Sequence, residues 1–297
     1  MISRTFSNYS DIRSALDQEF MLYSQIVDVG EWQSTDVRDK PEMVTRELAN
    51  VTIEFTWDTG NNPKDLTIPA NQPWAEAHFQ ERISGHPWNP PPSHEMWPYA
   101  QQDNAGFISG SQFSHTYPER LWPKFVNEGR KAPNGRQIFV PHMGLRFEYG
   151  DLADVIDLLR KNPLTRQAYI PIWFPEDTGV NHGERVPCTL GYHVMVRNDQ
   201  LQITYYIRSC DWRRHFADDL YMAARLAQFI ANCLSELPGE GLKRQVTANR
   251  VIMHIASLHI FQGDWEIMRH QRAQWIEDTY CRYGTSRNTE AILKGLG

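Results

Sequence analysis

Hydrophobic and polar residues follow patterns that predict strands and helices along most of the chain. Apolar and polar positions alternate through residues 201–207 after a turn at residues 197–199, which predicts a β-hairpin. Alternation at residues 49–57 and apolar runs at residues 168–173 and 251–261 predict further strands. Apolar residues at helical intervals predict helices at residues 9–26, 73–84, 151–161 and 220–234 and beyond residue 263.

Composition limits the class of protein. With 297 residues, of which 41% are hydrophobic, the chain is long enough for a large core, and we expect one domain over residues 1–297. The net charge of −6 argues against a surface that coats nucleic acid and fits an enzyme with a local basic pocket for a small anion. The four cysteines form no C-x-x-C pair, the start lacks a signal-peptide pattern, and no apolar run is long enough to span a membrane. We therefore expect a cytoplasmic protein with neither a membrane nor a nucleic-acid partner.

The predicted hairpin is the stretch richest in reactive side chains. Cys188 opens its first strand, and the second strand ends with Arg208, Ser209 and Asp211. A thiol is a nucleophile only as the thiolate, so a catalytic Cys188 needs nearby positive charge, which Arg208 or Arg185 would supply. The alternative is that Cys188 is a small buried residue of a strand.

The order of these residues resembles the thymidylate synthase superfamily, which contains thymidylate synthases and pyrimidine nucleotide hydroxymethylases. The resemblance runs with gaps from about residue 23 to residue 261, and it rests on Pro187-Cys188, the block Arg208-Ser209-Cys210-Asp211, the apolar helix that follows, and His259. It implies an α+β fold in which a large mixed sheet packs with helices. It also implies a homodimer and 5,10-methylenetetrahydrofolate as cosubstrate, without a metal.

The resemblance implies roles for the residues of the hairpin and for His259. Cys188 would add to C6 of a pyrimidine nucleotide, which makes C5 a carbon nucleophile toward the folate methylene group. Arg208 and Ser209 would hold the 5′-phosphate, whose oxygens suit a planar guanidinium and a hydroxyl. Asp211 would contact the folate pterin, and His259 would bond the sugar 3′-hydroxyl.

Asp219 is the position that the resemblance connects to the choice of base. Counted without gaps from the Arg-Ser-x-Asp block, the asparagine with which thymidylate synthases read uracil falls on Asp219. An acid that shares a proton accepts from the cytosine amino group and also bonds N3, so Asp219 indicates a cytosine base. Asp218 is the alternative one residue earlier, and acids also favour the first turn of a helix.

Five other positions match the family less directly. Arg38 falls where the family has a loop arginine that closes over the phosphate, and Arg166 where an arginine reaches across the dimer to the other phosphate site. Glu81, or else Glu76, matches the glutamate that organises proton transfers around the base. Trp97 falls where a tryptophan lies against the folate. For Arg38 and both glutamates the alternative is an ordinary solvent-exposed side chain.

Departures from the family pattern bear on the product. Ser109 and Phe261 stand where the family has tyrosines, and no apolar C-terminal tail matches the one that excludes water from the folate. Water that reaches an exocyclic methylene intermediate would give a hydroxymethyl group instead of a methyl group. The sequence therefore predicts a cytidylate (CMP or dCMP) 5-hydroxymethylase. The alternatives are a (d)UMP methylase of the thymidylate synthase type and an inactive nucleotide-binding homologue.

Overall fold

A mixed sheet of seven strands forms the centre of the protein in the computed structural model. The structure describes residues 2–32, 35–58, 60–97, 108–109, 112–125, 150–177, 185–236 and 245–283. The strands are β1 (Ile2–Phe6), β2 (Gln25–Val27), β3 (Glu31–Trp32), β4 (Thr35–Asp36), β5 (Thr45–Thr56), β6 (Ile108–Ser109), β7 (Gln112–Phe113), β8 (Tyr169–Pro171), β9 (Thr189–Arg197), β10 (Gln200–Asp211) and β11 (Thr247–Phe261). The α-helices are α1 (Tyr9–Tyr23), α2 (Trp74–Ile83), α3 (Tyr117–Leu121), α4 (Leu152–Lys161), α5 (Phe216–Glu236) and α6 (Gln262–Tyr283).

The sheet combines parallel and antiparallel pairs. Its strand order is β1-β5-β11-β10-β9-β8, with β2 beside β5. The pairs β1–β5 and β10–β11 are parallel, and the remaining pairs are antiparallel. Because parallel neighbours need a crossover, α5 leads from the end of β10 back to the start of β11. The predicted α+β class, a mixed sheet packed with helices, is confirmed.

The hairpin of β9 and β10 reverses at Asn198 and Asp199. Both residues have a left-handed backbone, with φ of 53° and 59°, as a two-residue type I′ turn requires. Asparagine and aspartate tolerate this conformation better than most residues because their short polar side chains bond locally. The pairing sets Tyr205 opposite Tyr192, so the two rings share one face of the sheet. The predicted hairpin is confirmed.

One hydrophobic core joins the helices to the sheet. Helix α5 is buried along most of its length, from Phe216 to Leu234, and packs on β10 and β11. Loss of a fully buried side chain such as Phe216 typically costs about 3–5 kcal/mol. The same core reaches from Ile12 in α1 to Met268 in α6. Among the described residues, no helix combines the length and apolar character needed to cross a bilayer.

Two element predictions need correction. The helix predicted over residues 9–26 ends at Tyr23, where Ser24 turns extended and its N–H bonds the Phe20 carbonyl. Ile26 therefore lies in β2 and is 63% exposed, although its spacing fits the helical stripe. The strand predicted over residues 168–173 is shorter, because only Tyr169–Pro171 pairs with β9.

Candidate active site

Cys188 lies directly before β9, at the edge of the sheet where β10 ends. Its carbonyl oxygen accepts a hydrogen bond from Arg208 N at 2.9 Å, and the residue is half-buried. Burial raises the pKa of the thiol, the positive charge of Arg208 opposes this rise, Asp219 adds to it, and Arg185 opposes it. The resting side chain is therefore the neutral thiol, and the two arginines are the groups that favour its thiolate.

The Arg208 side chain folds back onto the segment that carries Cys188. Its Nε donates to the Pro187 carbonyl at 2.9 Å, and its Nη2 donates to the Val186 carbonyl at 3.2 Å. The guanidinium carbon lies 5.7 Å from the centre of the Trp173 ring. These contacts fix the chain ahead of the thiol and keep a positive charge next to it.

Ser209 and His259 come together across β10 and β11. Ser209 Oγ lies 3.4 Å from His259 Nδ1, and the Phe261 ring lies edge-on to the imidazole at 5.7 Å between ring centres. Burial lowers the pKa of His259 to about 4, so its imidazole is neutral at pH 7. A neutral imidazole offers one donor and one acceptor, which suits hydroxyl partners. The predicted phosphate serine and sugar histidine are thus neighbours.

Asp211 and Trp97, the two predicted folate contacts, meet through His215. Trp97 stacks on His215 with ring centres 5.9 Å apart, and His215 N donates to the Asp211 carbonyl at 3.1 Å. Asp211 Oδ1 accepts from the backbone N–H groups of Arg213 and Arg214 at 2.9 and 3.1 Å. Its Oδ2 is buried without a hydrogen-bond partner among the described residues, with Arg214 Nε 3.8 Å away. An unsatisfied buried acceptor beside stacked rings is a feature that a ligand with N–H donors would satisfy.

Asp218 bonds a neighbouring loop. It is 3% exposed, and its two oxygens accept hydrogen bonds from Asn71 N and Asn71 Nδ2, both at 2.7 Å. Because both oxygens already have donors in the protein, Asp218 has a structural partner where it stands.

Asp219, one residue later, bonds two side chains of β10. Its Oδ1 accepts from Tyr205 Oη at 3.4 Å, and its Oδ2 accepts from Cys210 Sγ at 3.5 Å. Burial raises the pKa of Asp219 to about 6, although the charge of Arg82 pulls it down. The Asp219 charge also raises the pKa of Cys188. A carboxyl that titrates near neutral pH can either accept or donate a hydrogen bond.

Replacing Asp218 by asparagine is expected to destabilise the fold. Asn71 Nδ2 would face an amide nitrogen or lose its partner, at a cost of about 1–2 kcal/mol. Urea unfolding at pH 7 measures this loss. An Asp218→Asn protein as stable as the wild type would contradict the structural role of Asp218.

Glu81 is held at the start of the short 3₁₀ helix Pro92–Met96. Its carboxylate accepts hydrogen bonds from Ser93 N and from Ser93 Oγ, the latter at 2.5 Å, and His78 Nδ1 lies 3.3 Å away. Burial raises the pKa of Glu81, but the hydrogen bonds with His78 and Ser93 outweigh the burial and keep the pKa below its usual value, so the group is ionised at neutral pH. A direct role of Glu81 in proton transfer stays a prediction.

Glu76 forms a two-point ion pair with Arg225 of α5. Arg225 Nη2 and Nε donate to the two carboxylate oxygens at 2.8 and 2.9 Å, and Tyr221 Oη donates at 2.7 Å. Burial raises the pKa of Glu76, but these bonds outweigh it and lower the pKa to about 2. The pair ties α2 to α5, and a catalytic role for Glu76 also stays a prediction.

Replacing Glu76 by glutamine is expected to cost about 3 kcal/mol at pH 7, because the buried Arg225 charge loses its partner. The folded-state pKa of Glu76 lies below its usual 4.5. Its contribution to stability is therefore complete above about pH 4.5 and is lost as the pH falls toward 2. Urea unfolding of both proteins at pH 7 and pH 3 should show the gap narrowing at pH 3. The control Glu54→Gln breaks the more exposed Glu54–Arg250 pair and should cost less than about 1 kcal/mol. A Glu76→Gln protein as stable as the control at pH 7 would contradict the structural role.

Arg38 and Arg166 both lie at the surface. Arg38 follows β4, and its guanidinium pairs with Asp36 at 2.5 Å with 70% of its side chain exposed. Arg166 is exposed ahead of β8, and its carbonyl oxygen accepts a hydrogen bond from His193 Nε2 at 2.9 Å. Their predicted phosphate contacts therefore depend on a loop closure for Arg38 and on a second subunit for Arg166, and both stay predictions.

The sequence did not predict three residues of the site. Arg82 is 7% exposed on α2, and its guanidinium carbon lies 4.0 Å from the centre of the Tyr117 ring. Tyr192 is buried and Tyr117 is half-buried, and the Asp219 charge raises the pKa of both. The sequence signal for Arg82 was a charged residue within the buried stripe of α2 (Ala75, His78, Phe79 and Arg82). A charge at such a position is rare without a partner or a function.

A small cavity lies behind these side chains. Its volume of about 10 Å³ is at the lower limit for one water molecule, and Arg82, Tyr117 and Tyr192 line it together with apolar residues. It is far too small for a pyrimidine ring.

Some predicted features fall outside the described residues. These are the side chain of Ser109 and the C-terminal residues 284–297. Within the described residues, no group of three or more histidine, cysteine or acidic side chains is arranged to hold a metal ion.

A thiol, a guanidinium, a hydroxyl, the buried Asp211 and the half-buried Asp219 thus lie at one end of a mixed sheet. A thiol next to a cation is an arrangement that can activate a cysteine nucleophile. The family model described as Thymidylate synthase matches residues 71–278, more than half of the chain. The chain therefore belongs to the thymidylate synthase family, whose members bind a pyrimidine nucleotide and use methylenetetrahydrofolate as cosubstrate.

Similar proteins carry the name "Putative thymidylate synthase". The protein of Methanosarcina mazei is 26% identical over 214 residues, which cover 70% of this chain and 73% of that protein. The protein of Methanosarcina barkeri is 27% identical over 240 residues, which cover 79% and 85%. The protein of Methanococcoides burtonii is 29% identical over 233 residues, which cover 77% and 80%.

Proposed function

We propose that the protein is a cytidylate 5-hydroxymethylase that transfers a one-carbon unit from 5,10-methylenetetrahydrofolate to C5 of CMP or dCMP. The observation that carries this proposal is the acid at position 219. Asp219 is half-buried, accepts hydrogen bonds from Tyr205 and Cys210 of β10, and has a pKa that burial raises to about 6. A carboxyl that holds a proton matches the amino donor and the N3 acceptor of cytosine, whereas uracil offers the reverse pattern.

In the proposed reaction, Cys188 Sγ bonds C6 of the ring, and C5 becomes the carbon nucleophile that attacks the methylene carbon. Covalent addition divides one difficult step into two easier ones. Arg208 and Ser209 would hold the 5′-phosphate. Because Arg208 also braces the chain before Cys188 through the Val186 and Pro187 carbonyls, the phosphate site and the nucleophile share one support. A planar guanidinium is well suited to this double task.

The place for the folate is supported by Asp211, Trp97 and His215. The stacked Trp97 and His215 rings give a flat wall, and Asp211 Oδ2 is a buried acceptor without a hydrogen-bond donor among the described residues. A pterin has a flat face for stacking and N–H groups to donate to this oxygen. We therefore propose Asp211 and Trp97 as folate contacts.

The hydroxymethyl product is favoured over a methyl product by the residues that replace the family tyrosines. Phe261 lacks a hydroxyl, so the sugar 3′-hydroxyl would bond His259 without a second partner there. Ser109 replaces the tyrosine near C5. We further propose a homodimer in which Arg166 reaches the phosphate site of the other subunit, and cytoplasmic action.

The test is to incubate the protein with methylenetetrahydrofolate and each of CMP, dCMP, UMP and dUMP, and to read the products by mass spectrometry. We expect a hydroxymethyl product from a cytidylate and at least about tenfold less product from either uridylate. A methylated uridylate with formation of dihydrofolate would contradict the proposal in favour of a methylase. Binding without turnover of any of the four would identify an inactive homologue.

A further inference from the structure

Among the described residues, the side chains that donate a hydrogen bond to Asp219 are Tyr205 and Cys210, and the Tyr205 hydroxyl is the stronger donor. This hydroxyl donates to Asp219 Oδ1 at 3.4 Å, and Tyr205 is only 1% exposed. That distance is longer than the roughly 2.5–3.0 Å usual for an O–H···O bond, so its orienting effect depends on how firmly the phenol is held.

Two neighbours hold the phenol. The Tyr205 ring stacks on the Tyr192 ring with centres 4.7 Å apart and planes 23° apart. The Tyr205 hydroxyl lies 2.8 Å from Thr189 Oγ1, which lies 3.1 Å from Tyr117 Oη. Because each hydroxyl has one proton, a Tyr205 hydroxyl that donates to Asp219 accepts from Thr189. Thr189 is fully buried. Tyr205 therefore sits at the end of a fixed row of hydroxyls next to the thiol segment.

The other oxygen of Asp219 has a weaker partner. Asp219 Oδ2 accepts from Cys210 Sγ at 3.5 Å, and a thiol is a weak hydrogen-bond donor. The two oxygens of the Asp219 carboxyl thus accept hydrogen bonds from donors of different strength. A phenol hydrogen bond stabilises the oxygen that carries no proton, so a proton on this carboxyl is favoured at Oδ2.

We propose that Tyr205 is a positioning residue for base selection: with Thr189 behind it, its hydroxyl keeps Asp219 Oδ1 as an acceptor and leaves Oδ2 to share a proton with cytosine N3. This inference rests on the proposed cytidylate function. Oδ1 would accept both from Tyr205 and from the cytosine amino group, since a carbonyl-type oxygen has two lone pairs. Uracil has no acceptor at N3 and gains nothing from this arrangement.

Charged and titratable groups on several elements face Asp219 and contribute to its titration. They are Arg82 from α2, Tyr117 from α3, Cys188 before β9, Tyr192 from β9, Tyr205 and Cys210 from β10, and Asp218 from α5. The Tyr205 bond stabilises the ionised carboxylate and so lowers the pKa of Asp219. Its removal should raise that pKa.

The test measures the affinity of the full-length protein for CMP, dCMP and UMP by calorimetry from pH 5 to pH 9, without folate. The variant is Tyr205→Phe, and the matched control is Tyr206→Phe, which removes a hydroxyl from the next residue of β10, whose ring stacks on His254. We expect Tyr205→Phe to bind a cytidylate about fivefold more weakly at pH 6, the equivalent of one ordinary hydrogen bond, with UMP affinity changed less than twofold. We also expect the pH above which cytidylate affinity falls to move upward, and Tyr206→Phe to match wild type.

Equal losses for CMP and UMP, or an unshifted pH profile, would show a merely structural role and overturn the inference alone. Wild-type protein that prefers UMP would overturn the proposed function and this inference together. If Tyr205→Phe does not fold, Thr189→Val removes the hydroxyl behind Tyr205. It should shift cytidylate affinity in the same direction by about twofold. An unchanged profile in Thr189→Val would also overturn the inference.

Discussion

Replacing Cys188 by alanine is expected to abolish turnover and the exchange of the substrate C5 hydrogen with solvent. Without the sulfur, no bond forms at C6 and C5 stays a poor nucleophile, so we expect a loss on the order of 10⁴-fold or more in kcat. Tritium release from a C5-labelled cytidylate measures the exchange directly. The nucleotide should still bind, because we propose that Arg208 and Ser209 hold its phosphate.

The control for this variant is Cys233→Ala. Cys233 is likewise half-buried, but it lies on α5, where its carbonyl accepts from Arg160 Nη2 at 3.0 Å. Its thiol has no part in the proposed chemistry, so Cys233→Ala should keep wild-type exchange. Exchange that survives in Cys188→Ala at more than about one hundredth of the wild-type rate would show that another group attacks C6.

Replacing Asp219 by asparagine is expected to move the base preference from cytidylates toward uridylates. The amide offers uracil N3–H an acceptor and uracil O4 a donor, and it sets like groups against cytosine. We expect the ratio of kcat/KM for cytidylate to that for uridylate to fall about 100-fold. Competition assays with paired nucleotides at pH 7 measure this ratio.

The same variant should also lose the pH dependence that the acid imposes. In the wild type the pKa of Asp219 is about 6, so the protonated acid that bonds cytosine N3 becomes scarce above that pH. Above that pH, cytidylate affinity should fall by about tenfold per pH unit, while the affinity of Asp219→Asn should show no such fall. Asp218→Asn serves as the matched control one residue away, and its cytidylate affinity should fall as in the wild type. A retained cytosine preference in Asp219→Asn would remove the basis for base reading by this residue.

The sequence predicts the hairpin and the positions of its polar side chains well because local chemistry determines them. Asn198 and Asp199 specify the tight turn, and the period of two assigns each side chain to a face. Once the two strands pair, Cys188 has to stand beside Arg208. The resemblance to the thymidylate synthase family adds the expected roles to residues that the pattern alone could only place.

The sequence could not distinguish Asp218 from Asp219, because the contact that separates them comes from a distant element. Asp218 and Asp219 are equivalent by composition, and only the approach of Asn71, 147 residues away, distinguishes them. Likewise Glu76 looks like any helix carboxylate until Arg225 of α5 packs against it. Such choices depend on tertiary packing, which local periodicity does not encode.

We propose that the Cys188 sulfur bonds the ring of a cytidine nucleotide. The direct test is to mix the protein with methylenetetrahydrofolate and 5-fluoro-CMP or 5-fluoro-dCMP, and then to map the modified peptide by mass spectrometry. Fluorine at C5 cannot leave as a proton does, so the covalent complex should persist. We expect a peptide containing Cys188 that carries both the nucleotide and the folate. An unmodified Cys188 peptide, or an adduct on another residue, would contradict this proposal.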